Sequence, residues 1–157
     1  MATLTTTISE EVTVNGASRG STNTLVTADI IDTLERTITC AHSQITTIAE
    51  FATSNHGSES AIDLDQVRYV RVTNLSEDQE LIVGIILTGS TNFQVRLTAG
   101  ASHLLYHGAN VAIAEADGDP AMASMTTDLT AIEVKPVMSP VPFETTNVQV
   151  ELFIASA

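Results

Sequence analysis

The sequence has no tryptophan, two tyrosines, one cysteine and one lysine in 157 residues, and only 16% of its residues are charged. Each scarcity narrows the possible functions. With no Trp and so few Tyr, stacking platforms for sugars or bases are thin. A lone Cys40 excludes an intramolecular disulfide. Six cations face 19 acids, giving a formal net charge of −13. Nucleic-acid phosphates need a basic patch, so no nucleic-acid partner is expected. The same charge disfavours an anionic membrane surface. Long hydrophobic runs are missing as well. The longest, Leu81 to Leu87, is too short to span a bilayer. The start Met1-Ala2-Thr3-Leu4-Thr5 has neither a basic nor an apolar signal region, so synthesis in a cytoplasm and a soluble product are expected.

What is abundant favours strands. Thr, Val and Ile make up about a third of the chain, and their branched side chains suit a pleated surface. The length fits one domain with its own core. A charged fraction well below the roughly 25% of ordinary soluble domains implies little free surface in the working state.

Residues 1–10 read as an extended arm that orders against a neighbour, and 11–157 as a single domain. Glu11-Val12-Thr13-Val14 is a strand that ends at the turn signal Asn15-Gly16. Over Leu25 to Leu34 the spacing of Leu25, Ile30, Ile31 and Leu34 is ambiguous, and Asp29 is placed to cap one short helical turn. Period two returns over Arg36 to Cys40 and over Gln44 to Phe51, with Ile45, Thr47, Ala49 and Phe51 on one face. Val67 to Thr73 is the clearest strand, with Arg68, Val70 and Val72 on one face and Val67, Tyr69 and Arg71 on the other. The run to Leu87 reads as a strand buried on both faces. With Phe93 to Leu97 and Ser102 to Tyr106 it forms an expected antiparallel meander. Glu115 to Thr127 is an acidic projecting loop, and Ala131 to Lys135, followed by Pro136, Pro140 and Pro142, reads as an edge strand or linker. In the last strand Val148, Val150, Leu152 and Ile154 alternate with Gln149, Glu151 and Phe153. Eight or nine short strands with turns between them predict an all-β antiparallel sandwich of jelly-roll type.

Each candidate chemical group fails on spacing or neighbours. His103 and His107, four apart on or beside a strand, stand roughly 13 Å apart, too far to share one zinc ion. Asp117-Gly118-Asp119 lacks the alternating acids and distal Glu of a calcium loop. Asp63 and Asp65 would need a cleft and perturbed pKa values for acid–base work, and read instead as a pair that ends a loop and balances Arg68 or Arg71. Cys40 sits in a strand-like run with Arg36 the nearest cation, as a small buried hydrophobe rather than a nucleophile. No phosphate loop or nucleophile elbow is present, so no enzyme activity, cofactor or metal is expected. Contact surfaces are the remaining candidates. They are Leu4, Thr5 and Thr6 of the arm, Arg68 and Arg71 of the clearest strand, and Asp117 and Asp119 of the acidic loop. At least one arginine is expected to meet an acidic residue, of a neighbouring subunit or of its own chain.

Four segments carry a family resemblance: Glu11-Val12-Thr13-Val14-Asn15-Gly16 with Arg19-Gly20, Val67-Arg68-Tyr69-Val70-Arg71-Val72-Thr73-Asn74, Phe93-Gln94-Val95-Arg96-Leu97-Thr98-Ala99-Gly100, and Val150-Glu151-Leu152-Phe153-Ile154-Ala155-Ser156-Ala157. In order and spacing they resemble small β-rich virion proteins of tailed phages, marine ones in particular, of the capsid cement or decoration type. The resemblance implies a structural role at the particle surface, in the head shell or near the neck and tail, and brings no catalytic residues. It implies the major capsid protein and further copies of the chain as partners. A trimer is favoured because a cyclic oligomer bridges several capsid subunits at once. The alternatives are a neck, tail or fibre component of the virion, or a carbohydrate- or receptor-binding jelly-roll module.

Overall fold

The alternation of β-branched and polar residues becomes strand along nearly all of the described chain. A computed structural model describes residues 2–52, 61–88, 92–106, 128–137 and 147–157. The expected acidic loop with Asp117 and Asp119, and His107, lie outside the described residues. In chain order the strands are β1 (Ala2–Ser9), β2 (Val12–Val14), β3 (Ala17–Arg19), β4 (Thr22–Ile30), β5 (Asp32–Cys40), β6 (Thr46–Ala52), β7 (Ile62–Asp63), β8 (Val67–Asn74), β9 (Leu81–Leu87), β10 (Asn92–Leu97), β11 (Ser102–Tyr106), β12 (Leu129–Pro136) and β13 (Val148–Ser156). One 3-10 turn, Leu64–Gln66, precedes β8.

Two sheets form the sandwich. One runs β10-β9-β12-β6-β7 and the other β11-β8-β13-β5. Every pair in them is antiparallel except β6 with β7. The core lies between them and draws on both: Val70, Val72, Leu152 and Ile154 from one side meet Val83, Ile85, Ile132 and Val134 from the other. An all-β antiparallel sandwich is therefore the fold. Burying each such side chain contributes about 1.5–3 kcal/mol, and β13, central in its sheet, supplies Val148, Val150, Leu152 and Ile154 at 0–1% exposure.

Several local expectations give way. The stretch from Leu25 to Leu34 holds no helical turn: it is β4 and β5, with a kink where Asp29 adopts a left-handed φ of 62°. Asp tolerates that conformation better than most residues. The arm does not end at residue 10. β1 pairs with β4 from Ala2↔Ile30 to Ser9↔Thr22, and β2 pairs with β3 beyond them, so residues 2–30 form one long hairpin. Asn15 and Gly16, with φ of 51° and 78°, make its tip, as a two-residue primed turn requires. Where the tip joins the shaft, a Cβ on Gly20 would overlap the Glu10 carbonyl, so only glycine fits there.

Bulges shift the faces of two strands. Between Ala155↔Tyr69 and Ser156↔Val67 the register slips, which turns Val67 inward to join Val70 and Val72 rather than Tyr69 and Arg71. Ile48 is inserted opposite the Ile132–Glu133 step, so Ile48 and Ala49 are both buried while Ile45 is left 62% exposed. The meander is broken too: β9 and β10 pair, but β11 crosses to the other sheet and pairs with β8. β9 is buried on one face only, with Ile82 and Ile86 half-buried on the other. β12 is not an edge, since it lies between β9 and β6. Its Pro136 is tolerated because it is the last residue of the strand.

Candidate interaction surface

The outer face of the four-stranded sheet carries a second, smaller apolar cluster. Period two turns Tyr69 and Arg71 of β8, Leu104 and Tyr106 of β11, and Phe153 and Ala155 of β13 outward together. Tyr69 packs edge-on against Phe153 at 5.8 Å and tilted against Tyr106 at 6.3 Å. The base of the hairpin closes over this cluster with Ile30, only 5% exposed, and Leu4. Further along, Thr5, Thr6 and Thr7 face Tyr69, Arg71 and Phe153 across an open crevice. The shaft is thus anchored at its base and stands off beyond it.

Arg71 is committed within its own chain. Its guanidinium pairs with the Glu151 carboxylate and lies 5.6 Å from the centre of the Phe153 ring. Of the two alternatives the sequence left open for this residue, the internal ion pair is the one formed. Arg71 Nε is buried with no hydrogen-bond partner. Burial pushes the Tyr69 hydroxyl above its usual range, and the charge and hydrogen bond of Arg71 pull it partly back. Arg68 Nη1 donates to the Asp65 carbonyl at 2.8 Å. Asp63 Oδ1 accepts from the Asp65 N–H at 3.1 Å, so this acidic pair and Arg68 build the turn that leads into β8. Arg68 and Arg71 belong to different neighbourhoods, and of the sequence candidates Leu4, Thr5, Thr6 and Arg71 come together.

The other chemical candidates are structural. Cys40 is fully buried, and its thiol is pushed up by burial and partly held down by a hydrogen bond with Thr46. His103 faces inward from β11 against Phe93, ring to ring at 6.5 Å, and burial lowers its pKa from the ordinary 6.5. Among the described residues no three His, Cys, Asp or Glu gather as a metal site.

Sequence reasoning missed two features. Asn74 is completely buried at the end of β8, where Nδ2 donates to the carbonyls of Gln79 (2.8 Å) and Thr98 (3.1 Å) and Oδ1 accepts from Ser76 N–H (3.0 Å). Its position before a polar turn was the available signal. The second is the exposed apolar surface of the hairpin. Of the seven large hydrophobic residues exposed among the described residues, Val12, Val14 and Val26 lie on the hairpin, and Ile31, 78% exposed, lies at its root. On the far side of the molecule, Ile45, Ile82 and Ile86 flank Gly84 in a shallow trough edged by Gln94, Glu133 and Lys135. Compared with family models, curated proteins and solved structures, the chain matches none.

Proposed function

We propose that this chain is a structural protein of a phage particle, a cement or decoration protein that binds the outer capsid surface and links neighbouring capsomers. The observation that carries this reading is the hairpin: a ribbon that leaves a closed sandwich and displays apolar side chains the fold itself does not use. The core between the two sheets takes no residue from 2–30, so the sandwich is complete without the ribbon. Such a division suits attachment, because the body supplies stability and the ribbon supplies surface for another protein. The family resemblance of the four segments points the same way. Several copies acting together would hold firmly through individually modest contacts, and the net charge of −13 keeps decorated particles from adhering to one another.

Counting and locating the protein on purified particles tests this. Quantitative mass spectrometry should return a copy number that scales with the capsid subunits, and a labelled chain should appear over the head in particle images. A small fixed number at one vertex would move it to the neck or tail. Its absence from purified particles would end the proposal.

A further inference from the structure

β1 is an edge strand without the usual guards. Edges are commonly blunted by charge, proline or bulges, because their free N–H and C=O groups recruit other strands. β5, the edge of the four-stranded sheet, carries Asp32, Glu35 and Arg36. β1 carries no charge and no proline, and its register irregularity is confined to the Ala2–Leu4 end. Among the described residues only β4 pairs with it. A two-stranded ribbon is marginal in water, and a further strand on this edge would strengthen it.

The sequence of β1 specifies which strand that is. From Thr3 to Ser9 the residue classes read the same in both directions about Thr6: hydroxyl, apolar, hydroxyl, Thr6, hydroxyl, apolar, hydroxyl. An antiparallel copy centred on Thr6 therefore sets Leu4 opposite Ile8 and Thr5 opposite Thr7. That register keeps the half-buried residues Leu4, Thr6 and Ile8 on one face and the exposed hydroxyls on the other. Hydroxyl pairs of this kind already cross to β4, at 3.2 Å between Thr7 and Thr24 and 3.0 Å between Ser9 and Thr22. Charge favours the same site. Two chains of net charge −13 repel least where they meet through a strand with no charge.

We propose that β1 pairs with β1 of a second copy, antiparallel about a twofold axis at Thr6, joining two ribbons into a four-stranded sheet β4-β1-β1-β4. The contact is isologous, so it assembles copies in pairs rather than around the threefold axis that the resemblance implies. It is independent of the particle role, and failure of either reading leaves the other standing.

Sedimentation of the intact chain is expected to show a concentration-dependent dimer. In that dimer the two Thr6 residues lie about 4.5–5.5 Å apart, within disulfide reach. Oxidised Thr6→Cys should therefore become a covalent dimer, while Cys40 stays silent because it is buried. Thr5→Cys, offset diagonally at about 7–8 Å from its own copy, should crosslink far less. Thr6→Glu, which opposes two like charges, should raise the dimer dissociation constant about fivefold or more. A monomer at every concentration, an odd-numbered assembly without the Thr6→Cys link, or equal crosslinking at both positions would overturn the proposal.

Discussion

In β13, Val148, Val150, Leu152 and Ile154 alternate with Gln149, Glu151, Phe153 and Ala155 and end up almost wholly covered between two sheets. In β1, Leu4, Thr6 and Ile8 alternate in the same way yet remain half-exposed, and in β4 Val26 is 60% exposed. The two regions share a period of two. They differ in what lies on top: a second sheet covers β13, whereas the apolar packing of the ribbon on the body is through Leu4 and Ile30 at its base. Alternation thus assigns faces to a strand, and burial is decided by whether another layer arrives.

That contrast is open to direct attack. Leu152→Ala, at the centre of the core, should lose about 3 kcal/mol in urea unfolding, while Val26→Ala on the ribbon should stay within about 0.5 kcal/mol. Comparable losses at both sites would mean that the ribbon belongs to the core. Asn74→Ala leaves the carbonyls of Gln79 and Thr98 without their side-chain donor inside the fold, and about 2 kcal/mol should disappear on the same assay. Removing residues 2–30 uncovers Tyr69 and Ala155 but leaves the main core intact, so the remainder should still unfold in one transition, about 1–2 kcal/mol less stable. A molten product would show the sandwich to be incomplete alone.

The smallest effect expected is a pH effect. Burial lowers the folded pKa of His103 below its unfolded value of 6.5, so the unfolded chain binds the proton more readily. Stability from this group is full above pH 6.5 and drains away as pH falls towards the folded pKa. In His103→Phe, melting temperature should fall less between pH 7 and the onset of carboxylate titration (about pH 5) than in the parent. Parallel curves would remove His103 from the account.

The sequence made some of this legible and hid the rest for identifiable reasons. β8, β13 and the Asn15-Gly16 turn were readable because period two and turn chemistry are local. The partner of β1 was not, since nothing in Ala2–Ser9 names Thr22–Ile30, and the left-handed kink at Asp29 imitated a helix start. Bulges at Ile48 and Arg68 offset an otherwise regular alternation. Pro136, with Pro140 and Pro142 after it, disguised a central strand as an edge, because a proline at the end of a strand does not show whether neighbours pair on both sides. Of the candidate contact residues, Leu4, Thr5 and Thr6 lie on the ribbon, whereas Arg71 is held by Glu151.

Asn74 has a consequence in time as well as in energy. It ends β8 and donates to Thr98, in the turn that leads from β10 of the other sheet into β11 beside β8, so the bond ties the corner where the chain crosses between sheets. Contacts at such a corner are expected to complete after the rate-limiting step of folding. Losing them should therefore leave the refolding rate of Asn74→Ala near that of the parent and appear as faster unfolding, which stopped-flow measurements on both limbs would resolve. One buried amide at a sandwich corner would then act as a latch against opening.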